Sequence, residues 1–214
     1  MKILLMILQL VFVSCLTSVH ADSYSVDLSA IEKGWAIAHY ETGKKQKKAV
    51  YETLLKEADR FIQSYPKRQE PRVWKAIILS TQAGVVGAFS ALRKVKSAQQ
   101  LLLQVEKIEP TLLKGSIYTS LGSLYYKVPG WPISFGDKKK AEIALKKALK
   151  INPEGIEPNF FYAEYLYERD QYQQAEKYCQ QASKAPPLKS RPIADKWRRK
   201  EVMALMKKIQ SKLK

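Results

Sequence analysis

The chain has 214 residues, enough for one good-sized domain, and carries 37 Lys and Arg against 20 Asp and Glu, a formal net charge of +17. Such a charge favours anionic partners such as lipid headgroups, acidic proteins or nucleic acid. The basic residues are spread over the whole chain rather than gathered into one tract, which suits a solvated surface and argues against nucleic acid. Two cysteines, Cys15 and Cys179, with one in the leader described next, exclude an internal disulfide framework.

Taken in chain order, the first element is a leader. Lys2 precedes an apolar run from Ile3 to Val13, and Val19-His20-Ala21 supplies a small-residue end, the pattern of a signal peptide over 1–21 cleaved after Ala21. A lipoprotein signal with Cys15 lipidated is the alternative, although Phe12 stands where a Leu is usual. The run is too short to span a bilayer, which needs about 20 apolar residues. The expectation is therefore an exported, periplasmic protein, or one tethered at its N-terminus.

Residues 22–69 form the next unit. Ser29-x-x-Glu32 has the form of a capping box, followed by Leu28, Ile31, Trp35 and Ala38 at helical spacing and a stop at Gly43. Tyr51, Leu54, Leu55, Ala58, Phe61, Ile62 and Tyr65 make a second apolar stripe ending at Pro66. The small residues that mark later units are not evident here, so the pair reads as divergent.

From 70 to 187 the chain repeats itself. Ala98, Leu102, Val105 and Pro110 are followed 43 residues later by Ala141, Leu145, Ala148 and Pro153, and 34 residues after that by Ala175, Cys179, Ala182 and Pro187. A small residue admits a close helix neighbour, the apolar positions fill the groove, and the proline ends the helix. Each set is preceded by a helix with a small residue midway, namely Ala76, Gly122 and Ala163. These residues resemble the tetratricopeptide repeat (TPR) family. The resemblance implies a helix–turn–helix unit and a concave groove of first helices that binds peptides or helices of partners. The expected fold is an all-α, TPR-like helical-hairpin solenoid of about nine helices, with three hairpins over 70–187. A basic amphipathic helix over 188–214, with apolar Trp197, Val202, Leu205, Met206, Ile209 and Leu213, is expected to cap the stack.

Two hairpins carry extra residues in the same turn. Ala163 and Ala175 are 12 residues apart, whereas Gly122 and Ala141 are 19 apart and Ala76 and Ala98 are 22 apart. Both insertions should emerge on one edge of the solenoid. The first, Thr81–Lys94, suits a short excursion or a helical extension. The second, Val128–Asp137, is stiffened by Pro129 and Pro132 and ends in Asp137 as an N-cap. Trp131 and Phe135 are expected to fold back as a local core, or else to line a cleft with Phe89. Helical phase places Thr119, Ser123, Tyr126 and Lys127, then Phe160, Glu164 and Tyr167, on the concave side. These ten residues are the candidate partner-binding set.

Catalytic, metal and cofactor chemistry finds no support. His39 is the one histidine beyond the leader, no Cys/His cluster has metal-ligand spacing, and no glycine-rich phosphate loop occurs. Cys179 takes a core position held elsewhere by Leu102 and Leu145. The expectation is a non-enzymatic scaffold that binds a protein or peptide, without a cofactor. The segment from Leu121 to Leu166 is also similar to bacterial repeat proteins related to the T component of TRAP transporters. That resemblance implies solute handling, with a transporter substrate-binding subunit or a small hydrophobic ligand as partner. Membrane contact through an N-terminal lipid or the basic C-terminal helix is a third reading.

Overall fold

A computed structural model describes residues 23–214, and the leader, with Ala21 and Cys15, lies outside these residues. Among the described residues there are nine α-helices and no strand. Helix α1 covers 23–36 and runs on through a π-helical turn, Ile37–Glu41. It is followed by α2 (Lys44–Ser64), α3 (Glu70–Gln82), α4 (Ala88–Ile108), α5 (Leu112–Lys127), α6 (Lys138–Ile151), α7 (Ile156–Tyr167), α8 (Tyr172–Lys184) and α9 (Pro192–Leu213). The chain is an all-α solenoid of helical hairpins.

The prolines act through the residue before them. Tyr65 (φ −130°, ψ 65°), Glu109 (φ −139°, ψ 73°) and Asn152 (φ −139°, ψ 72°) cap α2, α4 and α6 in nearly one conformation. Each precedes a proline, whose ring clashes with a helical backbone at the preceding position. The same device therefore closes three hairpins and sets the same exit direction for the chain.

The first pair shares this device and also shows how it diverges from the later units. Leu54, Ala58, Phe61 and Pro66 follow the same 4-3-5 spacing as Ala141, Leu145, Ala148 and Pro153, but with large and small residues exchanged. Leu54, Ala58 and Phe61 are all buried. The exchange is compensated across the hairpin by Gly34, where an added Cβ would lie 2.8 Å from Leu54 Cδ1. Gly122 does the same for Leu145, at 2.5 Å from its Cγ. The first pair is thus a regular hairpin with its volumes redistributed. Ser29 lies within α1 rather than at its start, because the helix already runs from residue 23, so no capping box forms there.

The two insertions differ. The first adds a 3-10 turn (Ala83–Val85) and lengthens α4 to 21 residues, against 14 in α6 and 13 in α8. The second stays irregular over 128–137 and is tied off by Asp137, whose side chain accepts hydrogen bonds from the backbone N–H groups of Lys139 and Lys140.

Helix α9 does more than end the stack. Val202, Leu205 and Ile209 in its C-terminal half enter the core of the last hairpin with Cys179 and Ala182. Ala194, near its start, is buried in the core of the first hairpin with Trp35 and Trp74. The Trp197 ring stacks on Tyr40 at 5.8 Å, and its Nε1 donates to Glu41 Oε1. One helix therefore touches both ends of the solenoid and crosses its concave side.

Candidate functional site

A cavity of about 740 Å³ lies under that crossing helix. This is within the roughly 300–1,000 Å³ typical of small-molecule sites. Its wall is made by the first helix of every hairpin in the same phase: Trp35 and His39 of α1, Trp74 and Ile77 of α3, Ser116 and Ser120 of α5, and Phe160 and Phe161 of α7. The additional turns of α4 bring Ala88, Ala91, Leu92 and Val95 against it. The 128–137 loop adds Val128, Pro129 and Ile133, so both insertions contribute apolar lining. Arg198 and Glu201 of α9 close the opposite side.

Most of the charged groups are at the α7–α9 side. Arg198 is 6% exposed and packs against the edge-on pair Phe160 and Phe161, with its guanidinium carbon 4.5 and 4.7 Å from their centroids. Its Nη1 donates to Glu201 Oε2 at 2.6 Å. Its Nε lies 2.8 Å from Glu157 Oε2, an ion pair whose direction is off the N–H axis and makes no hydrogen bond. Burial disfavours the Arg198 charge, but the Glu157 and Glu201 carboxylates outweigh it and hold the guanidinium more firmly protonated than usual. Tyr40 donates to the same Glu201 oxygen at 3.1 Å. Burial nevertheless leaves the Glu201 carboxyl above its ordinary range, against the pull of Arg198 and Tyr40.

Further along the wall, Lys127 Nζ pairs with Glu164 Oε2 at 2.7 Å, and Tyr126 donates its hydroxyl to the same oxygen. His39 stacks on Trp35 with 5.3 Å between ring centroids, and its Nδ1 lies 3.1 Å from the Tyr51 hydroxyl. Burial, reinforced by the positive charges of Arg198, Lys47 and Lys127, lowers the His39 pKa to about 4, so the ring is neutral at pH 7. Of the three lining cations, Arg198 and Lys127 are matched to carboxylates. Arg191 instead lies over the Trp74 ring at 5.8 Å and has no carboxylate within ion-pair distance among the described residues.

Of the residues singled out from sequence, Thr119, Ser123, Lys127, Phe160 and Glu164 are brought together on this wall. Tyr126 stands behind them, its ring edge-on to Tyr165 and its hydroxyl on Glu164. Tyr167 points elsewhere and packs on Tyr172 at 5.6 Å. The two loop aromatics divide: Phe135 folds back edge-on to Tyr125, whereas Trp131 is 91% exposed and forms no local core. Phe89 is 78% exposed, and neither it nor Trp131 nor Phe135 lines the cavity. Their smaller neighbours Ala88, Pro129 and Ile133 do so instead.

Sequence reasoning missed Arg198, Glu201, Glu157 and the Trp35–Trp74 pair. Arg198 had one legible signal, since it sits four residues after Ala194 and four before Val202, in the phase of the buried stripe. A charge at an apolar-face position asks for a buried partner. Cys179 is fully buried, donates its thiol to the Val202 carbonyl at 3.4 Å, and has its pKa pushed up to about 11, chiefly by burial. Among the described residues no group of His, Cys, Asp and Glu is arranged to hold a metal, and no helix is long and apolar enough to cross a membrane. No protein-family model and no curated protein matches this chain.

Proposed function

We propose that this chain is a TPR-type, non-enzymatic binding protein that holds one small amphipathic molecule in its concave cavity. The observation that carries this reading is the passage of α9 across the concave side, which turns a groove into a cavity of about 740 Å³ that is covered on that side and open at another. A helix or extended peptide lying along the first helices would collide with Arg198 and Glu201. A small molecule with an apolar body fits against Ala91, Leu92, Val95 and Ile133, with its polar end toward Arg191 and Glu201. This favours the solute-handling reading over the peptide-groove scaffold. A protein partner, including a transporter substrate-binding subunit, is left with the outer surfaces. Export to the periplasm is part of the proposal and rests on the leader alone.

Gentle native mass spectrometry of the protein purified from its own exporting cell tests the reading. The expected result is a single small-molecule adduct at one per chain, lost in Ser120→Phe, which fills the cavity. A peptide adduct that survives Ser120→Phe would reject it.

A further inference from the structure

The cavity has an identifiable mouth. Among its lining residues, those exposed to solvent are Gly84, Ala88, Lys127, Pro129 and Ile133, and the rest are buried or half-buried. All five sit at the α3–α4 turn or at the end of α5 and the loop after it. The opening is therefore at the insertion edge, opposite the side closed by α9.

The rim of that mouth has an unusual surface. Trp131 (91% exposed) and Phe89 (78%) are the two most exposed large apolar side chains among the described residues. Ile133 and Val85 extend the same edge. Trp131 stands between Pro129 and Pro132, which restrict the backbone that carries it and lower the entropy lost when the loop is ordered. Basic residues flank this apolar tip. Lys138, Lys139 and Lys140 follow the loop, and Arg93, Lys94 and Lys96 lie on the first turns of α4. Across 83–96 and 128–140 the one acidic residue is Asp137, whose carboxylate is engaged in capping α6.

We infer that this rim docks onto an anionic lipid bilayer, so that the cavity mouth opens against the membrane. Trp, Phe and Ile are suited to the headgroup–acyl boundary, and a basic surround is attracted to anionic headgroups. The charge complementarity selects a lipid surface over an apolar protein patch, which would gain nothing from six nearby cations. The inference concerns the outer rim and holds whether or not the cavity is occupied.

Co-sedimentation of the full chain with vesicles of mixed phosphatidylcholine and phosphatidylglycerol tests it. Wild type should partition onto these vesicles and much less onto pure phosphatidylcholine, with a blue shift of tryptophan emission that Trp131→Phe reduces. Trp131→Ala/Phe89→Ala should weaken partitioning by about tenfold or more, with an unchanged thermal melt because both side chains are exposed. Lys139→Gln/Lys140→Gln should weaken it as well, while Lys207→Gln/Lys208→Gln on α9 should not. Ser120→Phe should bind vesicles like wild type, which separates failure of this inference from failure of the cavity reading. Equal partitioning of the Trp131→Ala/Phe89→Ala variant would overturn the inference. So would binding lost only on changing α9, or a wild-type chain that ignores vesicles and uses Trp131 to hold a protein.

Discussion

At the residue scale, Arg198 is the group on which the closed arrangement depends. Its guanidinium is shared by Glu157 of α7 and Glu201 of α9 and packs on the Phe160–Phe161 pair of α7, so one side chain fastens the crossing helix to the wall it covers. Replacing it with alanine leaves Glu157, which is mostly covered, and the part-exposed Glu201 without their cation. Chemical denaturation of Arg198→Ala should show a loss of about 2–4 kcal/mol, below the range for a fully buried pair because water reaches Glu201. An equal stability of the two proteins would mean that the pair is solvated and α9 is held by packing alone. His39 makes a second prediction, with a sign that geometry dictates. Its pKa falls from 6.5 to about 4 on folding, so between these values the unfolded chain binds more protons and stability rises with pH. Its contribution, up to about 3 kcal/mol, is fully present above pH 6.5 and lost as pH falls toward 4. Glu201, raised by burial, works in the opposite direction, so the comparison must be made against a variant. Stability measured from pH 4 to 7 should have a flatter slope in His39→Gln than in wild type. An unchanged slope would place the ring in water.

At the element scale, the hairpins are held by close approaches that tolerate no added volume. A Cβ on Gly122 would lie 2.5 Å from Leu145 Cγ and 3.3 Å from the Leu145 backbone nitrogen, so α5 and α6 would have to separate. Gly122→Val should cost about 1–3 kcal/mol or more in thermal or denaturant unfolding. A neutral outcome would contradict the packing described for the repeat. Much at this scale was legible from the chain alone. The spacing of Ala141, Leu145, Ala148 and Pro153 and of its counterparts found three hairpins, because small residues and prolines act locally and leave a periodic trace. The first pair was legible as two helices but not in its register to the repeat, because Leu54 and Phe61 occupy positions held elsewhere by alanines or valine, and compensation by Gly34 acts across 20 residues. Helical phase likewise found Thr119, Ser123, Lys127, Phe160 and Glu164. It could not find Trp35 and His39, since the register of that hairpin was not recognised. Nor did it find the outward direction of Trp131, because two prolines restrict backbone angles without saying which way the ring points.

At the scale of the whole molecule, the local repeat does not encode how far the solenoid curls. That depends on α9 reaching from the core shared with Cys179 to the core shared with Trp35, contacts separated by some of the longest spans in the chain. The result is a cavity with a charged, closed side and an apolar mouth. The geometry gives each insertion a role: α4 gains length to wall the cavity, and the 128–137 loop rims it. The central claim is that the concave side stores a small molecule instead of gripping a peptide. A fluorescence titration with the uncharged apolar probe N-phenyl-1-naphthylamine tests it most directly, run on wild type and on Ser120→Phe. The account predicts saturable binding at one site per chain, displaced by the native adduct and reduced by about tenfold or more in the filled variant. Non-saturating binding, or equal affinity in the two proteins, would contradict it.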